Sequence, residues 1–214
     1  MPWSWWPGKW SLCPGPRGWD SDMASKVPRF DVPSRQDCLA LMSAYGMLPN
    51  IREHSLLVGE VALHLGTALA EAGFDLHLDL IEAGALLHDL GKTACLGTTI
   101  NHAEWGAQLV HDAGFPEVAQ VVREHIILQP NGDLRPVREA EVVNYADKRV
   151  LHARVVPLTV RFADLVVRYG KSEQARRRIA DLAKTARRLE AKLFAPIALK
   201  PVDLLQLNHT RREL

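Results

Sequence analysis

The sequence predicts an all-α protein built as a single-domain helical bundle. From Pro33 onward, apolar residues recur at helical spacing rather than alternating as they would along a strand. Short turns rich in Gly and Pro divide this pattern into separate segments. With 214 residues, 47% of them apolar, the chain is long enough to bury one core.

The predicted helices follow one another with short connections. Ser34 is placed to cap the first helix, and Gly46, Gly73 and Gly114 are placed to end the first, second and fourth helices. The run Ala83–Leu87 is apolar on all sides, which predicts a buried central helix. The predicted spans are about 34–46, 51–72, 78–90, 101–113, 117–128, 139–150, 157–169 and 172–194.

The ends of the chain differ from its centre. Residues 1–30 carry five tryptophans without periodicity, so we expect a disordered N-terminal extension there. This extension is either a translated leader before an initiator at Met23 or an aromatic ligand for a partner. Residues 31–150 carry the chemical motifs, and residues 151–214 are expected to form a C-terminal helical extension packed on that core.

Composition excludes several classes of function. The formal net charge is +1, which gives no electrostatic basis for binding bulk nucleic acid or an anionic membrane. Three widely spaced cysteines argue against a disulfide framework. No apolar run is long enough for a membrane span or a signal peptide. These features favour a cytoplasmic location.

Two His-Asp dipeptides occur in the chain. His111 and Asp112 lie where a helix is about to end, and a histidine there suits the negative end of the helix dipole. His88 and Asp89 instead close the apolar helix, where burial without partners would cost about several kcal/mol. A divalent metal ion satisfies an imidazole and a carboxylate together, so the second pair indicates a candidate metal site.

Further histidines and one aspartate lie near the predicted helix ends, which can converge in a bundle. Two of them have simpler explanations: Asn101 or His102 could act only as a helix cap, and His125 could be a core histidine. The full candidate set is His54, His88, Asp89, His102, His125 and Asp147.

The motifs around these residues resemble, in order, those of the HD-domain superfamily, particularly its HDxGK branch. They read HSLLVGEVALHLG, ALLHDLGK, NHAEWGAQLV, VVREHI and VVNYADKRV, and the resemblance covers about residues 50–150. It implies the HD-domain fold and one metal ion held by His54, His88, Asp89 and Asp147. It also implies a second metal at His102 and His125, with Asp89 bridging the two ions. Fe, Mn, Co or Zn are the candidate divalent ions.

The resemblance implies a metal-dependent phosphohydrolase or phosphodiesterase. Its substrate would be a small phosphomonoester, phosphodiester or phosphoanhydride, usually a nucleotide, cleaved by a metal-activated water. Asp89 and Lys92 are the expected catalytic residues, because the Lys92 ammonium follows the turn after the His-Asp pair and can reach a phosphate oxygen. Lys148 and Arg149, next to Asp147, are weaker candidates for contacting the same phosphate.

Two other interpretations of the function remain open. Some HD proteins use a mixed-valent di-iron centre with the same ligands to activate oxygen, and others are non-catalytic modules that sense nucleotides. The helices after Val150 carry no chemical motif. A substrate pocket or a homodimer surface could be shaped by Arg154, Arg161, Phe162, Asp164 and Tyr169.

Overall fold

Capping and turn residues set the helix boundaries in the computed structural model, which describes residues 32–129 and 136–210. Ser34 accepts a hydrogen bond from the amide of Asp37, whose carboxylate accepts one from the amide of Ser34. Gly73 and Gly114 follow helix ends with φ of +92° and +96°. The helices are α1 (Arg35–Ala44), α2 (Pro49–Glu71), α3 (Leu78–Leu87), α4 (Lys92–Cys95), α5 (His102–Asp112), α6 (Pro116–Glu124), α7 (Glu139–Arg149), α8 (Leu158–Tyr169), α9 (Glu173–Phe194) and α10 (Leu207–Thr210), with a 3-10 turn at Asp203–Gln206.

Two apolar clusters form the core, and α3 lies between them. Ile81 and Ala85 of α3 belong to the cluster shared with α2, α7, α8 and α9. Leu86 and Leu87 face the other cluster, which α1, α5 and α6 complete. The central burial predicted for α3 is therefore confirmed, and its C-terminus points into the middle of the molecule.

The all-α fold is confirmed, with local differences, among them the 3-10 turn at Asp203–Gln206 and the short helix α10, which were not predicted. α3 and α6 end at Leu87 and Glu124, three and four residues before the predicted limits, because a tight turn follows each. The short helix α4 was not predicted. A two-residue antiparallel pair, β1 (Val150–Leu151) with β2 (Arg154–Val155), also forms, and it is too short to produce an alternating pattern.

The helices that follow β2 pack on the same core as α2 and α7. Ile179 and Leu193 of α9 and Leu204 of the 3-10 turn are buried in the cluster that contains Leu57 and Tyr145. The prediction for residues 1–30 lies outside the described residues. Within the described ranges, no helix combines the length and the apolar character that crossing a bilayer requires.

Candidate metal centre

Five helices deliver the six predicted ligands to one place. His54 lies in the second turn of α2, and Asp147 lies near the end of α7. His88 and Asp89 occupy the turn directly after α3, His102 begins α5, and His125 caps α6. Convergence of these helix ends brings residues up to 93 positions apart into hydrogen-bonding range.

One half of the cluster surrounds Asp147 and one oxygen of Asp89. Nε2 of His54 lies 3.2 Å from Oδ1 of Asp147. Nε2 of His88 lies 3.4 Å from Oδ2 of Asp89 and 3.8 Å from Oδ1 of Asp147. His54, His88 and Asp89 each offer a ligand atom within 4.8 Å of the others, so they could hold one metal ion.

The other half of the cluster uses the second oxygen of Asp89. Nε2 of His102 lies 3.3 Å and Nε2 of His125 lies 3.7 Å from Oδ1 of Asp89. The two Nε2 atoms lie 3.3 Å from each other. Asp89 thus turns one oxygen toward each half of the cluster.

The hydrogen bonds of three histidine rings fit a metal site. Nδ1 of His54, His88 and His125 faces a backbone carbonyl oxygen, at 3.1, 2.7 and 2.6 Å respectively. Nδ1 must carry the proton of each neutral ring, which leaves a lone pair on Nε2. These lone pairs point at carboxylate oxygens, which are also acceptors. Among the described residues, Nε2 of His88 is fully buried without a hydrogen bond, so a bound cation satisfies the chemistry of this donor set.

The electrostatics of the cluster keep its carboxylates ionised. Burial alone would raise the pKa of Asp89, but the neighbouring histidines and Lys92 outweigh burial and hold that pKa well below its ordinary value. The pKa of Asp147 is also low, because Lys148 and its other cationic neighbours outweigh the desolvation of the carboxyl group. Burial lowers the pKa of His125 to about 3. Ionised carboxylates and a neutral imidazole are the forms that bind metals.

Local sequence explains the placement of the two histidines that had simpler explanations. The Asn101 side chain caps α5 by accepting a hydrogen bond from the amide of Ala103 at 3.0 Å, which frees the His102 imidazole to face Asp89. His125 is buried, as a core histidine would be, but its Nε2 faces the cluster.

The comparisons with known proteins agree with this geometry. The family model of the HD domain matches residues 51–151. This segment of the chain is an HD domain. Members of the HD superfamily are generally metal-dependent hydrolases, and the resemblance seen in the sequence is confirmed.

Proteins of three different descriptions are similar to this HD domain. An uncharacterized protein of Methanocaldococcus jannaschii is 28% identical over 143 residues, which are 61% of this chain and 83% of that protein. A tRNA (cytidine(56)-2'-O)-methyltransferase of Thermoplasma volcanium is 35% identical over 96 residues, 44% of this chain and 26% of that protein. Ribonuclease Y of Treponema denticola is 33% identical over 111 residues, 51% of this chain and 19% of that protein. The aligned regions are thus only small parts of the two relatives with named activities. No solved structure matches significantly.

The two lysines predicted to contact phosphate, Lys92 and Lys148, line the cavity beside the cluster. The Lys92 ammonium lies 2.6 Å from Oδ2 of Asp89, and its side chain is 35% exposed. The Lys148 ammonium is buried; it donates a 2.5 Å hydrogen bond to the carbonyl of His125 and lies 3.4 Å from Oδ2 of Asp147. Lys148 therefore holds the backbone of one candidate ligand and retains one N–H donor.

The prediction that Arg149 contacts substrate is wrong in geometric terms. Its side chain is 2% exposed and donates hydrogen bonds to the Tyr145 hydroxyl and to the carbonyls of Val156 and Pro201. It also forms an ion pair with Glu190 of α9 at 3.4 Å. Helical periodicity explains the error: Arg149 lies two residues after Asp147, which places it on a different side of α7.

Sequence reasoning missed several residues that support the site. The carbonyl of His152, in a residue with φ of +54°, accepts the hydrogen bond from His54. Asn144 donates to the carbonyls of Glu124 and His125, at 2.9 and 3.0 Å. The spacing of Asn144 three residues before Asp147, on one face of α7, was the available signal for the asparagine. The backbone role of His152 leaves no sequence signal.

His111 and Asp112 form no part of the centre. Both side chains are 60% exposed on the last turn of α5, consistent with the structural role expected for this pair.

Proposed function

We propose that the chain is a phosphohydrolase that cleaves small phosphate esters or anhydrides. It would hold two divalent metal ions, and Asp89 would be a ligand of both. His54, His88 and Asp147 would hold one ion, and His102 and His125 the other. The observation that carries the proposal is the division of the two Asp89 oxygens: Oδ2 faces Nε2 of His88, and Oδ1 faces Nε2 of His102 and of His125.

Two divalent ions, when bound, supply an activated water and neutralise charge on the phosphate. The chain's own residues contribute the rest. The shared Asp89 fixes the separation of the two ligand sets, and the buried hydrogen bonds from Nδ1 atoms to carbonyls fix the orientation of the rings. The ammonium of Lys92, at the partly exposed rim, is placed to contact an oxygen of the phosphate and to neutralise charge that develops there.

The cavity beside the cluster favours a small substrate. It has a volume of about 470 Å³, within the range of roughly 300–1,000 Å³ that is usual for small-molecule sites. Nucleotides are therefore the first substrates to test.

The test is release of phosphate or nucleoside products from a panel of nucleotide monoesters, cyclic diesters and dinucleoside polyphosphates. The assay uses anaerobically purified protein supplied with Mn²⁺, and Asp89→Asn as the inactive control. Hydrolysis by the wild-type protein that is lost in the variant supports the proposal. Oxygen consumption by an iron-loaded protein, with no hydrolysis of any panel member, would instead support the oxygenase alternative.

A further inference from the structure

The cavity wall opposite the HD domain is made by helices that the family model does not match. Residues of α8 and α9 line this wall, whereas the matched segment ends at residue 151. The HD domain therefore contributes the metal-ligating side of the cavity, and the C-terminal helices contribute the side that remains available for recognising the rest of a substrate.

Arg161 of α8 has unused hydrogen-bonding capacity at the inner end of this wall. Its side chain is 11% exposed, and among the described residues its buried Nε has no hydrogen-bond partner. Nη2 lies 3.7 Å from Oδ1 of Asp147 and Nη1 lies 3.9 Å from Oδ2 of Asp164, both beyond hydrogen-bond length. A buried donor without an acceptor is costly, and a guanidinium group is well shaped to bind a phosphate through two parallel N–H groups.

The side chains of α8 that line the cavity change along the helix from cationic to apolar to aromatic. Positions 161, 162, 165 and 169 share one helix face, which extends about 12 Å at the α-helical rise. Phe162 and Leu165 follow Arg161, and Ile179 and Leu182 of α9 line the same apolar section.

The outer end of the wall carries an exposed aromatic ring. Tyr169 is 57% exposed and lines the cavity. The guanidinium carbon of Arg168 lies 5.3 Å from the centroid of that ring, which braces one side of it. Because more than half of the Tyr169 side chain is exposed, its ring can stack on a flat group.

We propose that Arg161, Phe162, Leu165 and Tyr169 of α8, with Ile179 and Leu182 of α9, form the specificity subsite of this protein. Arg161 contacts the phosphate, and the apolar section with Tyr169 binds a flat aromatic group attached to it, as in a nucleoside monophosphate. The inference rests on the proposed function for the identity of the phosphate. It goes beyond that function by assigning substrate recognition to the C-terminal helices.

Charge on α9 favours this small ligand over a long polyanion such as RNA. Arg177 pairs with Glu173, and the ammonium of Lys184 lies 3.2 Å from the carboxylate of Asp181. Lys192 is paired with Glu141 at 2.6 Å. Three of the seven basic side chains of α9 are thereby paired with carboxylates, and the net charge of the whole chain is only +1.

The experiment is calorimetric binding of two phosphonates to the Mn²⁺-loaded full chain. One is an analogue of adenosine 5′-monophosphate in which CH₂ replaces the ester oxygen, so that it cannot be hydrolysed there, and the other is the matching ribose 5-phosphonate without the base. We expect the adenosine compound to bind at least about tenfold more tightly, because of stacking. Tyr169→Ala should remove this preference and leave the affinity for the ribose compound unchanged.

Arg161→Gln should weaken both phosphonates to a similar degree, by about tenfold or more, without altering Mn²⁺ content. Val167→Ala is the matched control, because Val167 is on α8, is 83% exposed and does not line the cavity; it should change neither affinity. Since Tyr169 is exposed, its truncation should leave the melting temperature unchanged.

Equal affinity of the wild-type protein for both phosphonates would overturn the inference, as would a Tyr169→Ala variant that weakens both equally. Binding of a short RNA oligomer much more tightly than the adenosine compound would also overturn it. If adenosine 5′-monophosphate and ribose 5-phosphate are hydrolysed equally well, the inference fails and the proposed function stands. If the phosphonates bind in the expected pattern but no ester is hydrolysed, the proposed function alone fails.

Discussion

At the scale of single residues, Lys92 tests whether the site acts on phosphate. Its ammonium contacts Asp89 but its side chain belongs to the cavity rim, so it is not needed to hold a cation. We predict that Lys92→Ala retains Mn²⁺ and lowers kcat by about 10²–10³-fold, because a positioned charge on the phosphate is lost. Steady-state kinetics and elemental analysis check this. A variant that loses its metal would show that Lys92 acts through Asp89 instead.

Arg149 supports the fold rather than the substrate. Its buried guanidinium joins α7 to α9, to the backbone of Val156 and to that of Pro201. Arg149→Met should lower the free energy of unfolding by about 3–5 kcal/mol, because removing the buried guanidinium leaves its hydrogen-bonding and ion-pair partners unpaired. Denaturant unfolding measures the loss, with the exposed Arg187→Met as control. An unchanged stability with a raised KM would restore Arg149 to the substrate site.

The sequence predicted the ligands better than it predicted their neighbours. His88 and Asp89 were detectable because burying such a pair requires a partner, and the remaining ligands were detectable through their motif order. Arg149 was misplaced because adjacency to Asp147 in the chain was treated as adjacency in space. The support from His152 could not be found, because it depends on a backbone carbonyl.

At the scale of secondary structure elements, Gly91 sets the distance between the turn after α3 and the start of α5. Its φ is −77°, so the conformational freedom of glycine is not what the position uses. A Cβ there would lie 2.6 Å from the amide nitrogen of Gly106 and 2.9 Å from the carbonyl oxygen of His102. Close approach of two backbones thus requires the glycine.

We therefore predict that Gly91→Ala displaces His102 from Asp89 and weakens binding of one metal ion by about 10–100-fold, as outer-shell changes do. Metal titration followed by calorimetry would show one tight and one weakened site. Gly73→Ala is the control: Gly73 has φ of +92° and no atoms within 4 Å of an added Cβ, at the end of α2 away from His54. It should lose stability and keep both sites.

Helix positions were predictable because amphipathic spacing, Ser34 and the terminal glycines are local signals. The short helix α4 and the β1–β2 pair were not, because four and two residues are too few to show a period. The ends of α3 and α6 were misjudged for a related reason. The turn that follows each helix contains residues that would fit a further helical turn, and the carbonyl contacts of His88 and His125 favour the turn.

At the scale of the whole molecule, five helices bring the six candidate ligands and their charges together inside a single bundle, so metal binding should stabilise the fold. With free Mn²⁺ at about 100 times its dissociation constant, the gain is about 2.7 kcal/mol. For a chain of 214 residues this corresponds to a rise in Tm of roughly 5–10 °C. Thermal melts with and without chelator check it. Asp89→Asn should melt at the same temperature in both conditions.

The cavity is lined both by the HD domain and by the C-terminal helices α8 and α9. The motifs that identified the domain end at about residue 150, and the residues of α8 and α9 that complete the cavity carry no recognisable motif. Their contribution follows from packing across the core, which a single sequence does not display.

The measurement that tests the central claim most directly is the rate of phosphate release, without oxygen, as a function of the number of Mn²⁺ ions bound per chain. We predict little release at one ion and full release at two, because Asp89 serves both ligand sets. A chain that holds two ions and hydrolyses no phosphate ester, or one that is fully active with a single ion, would contradict the account.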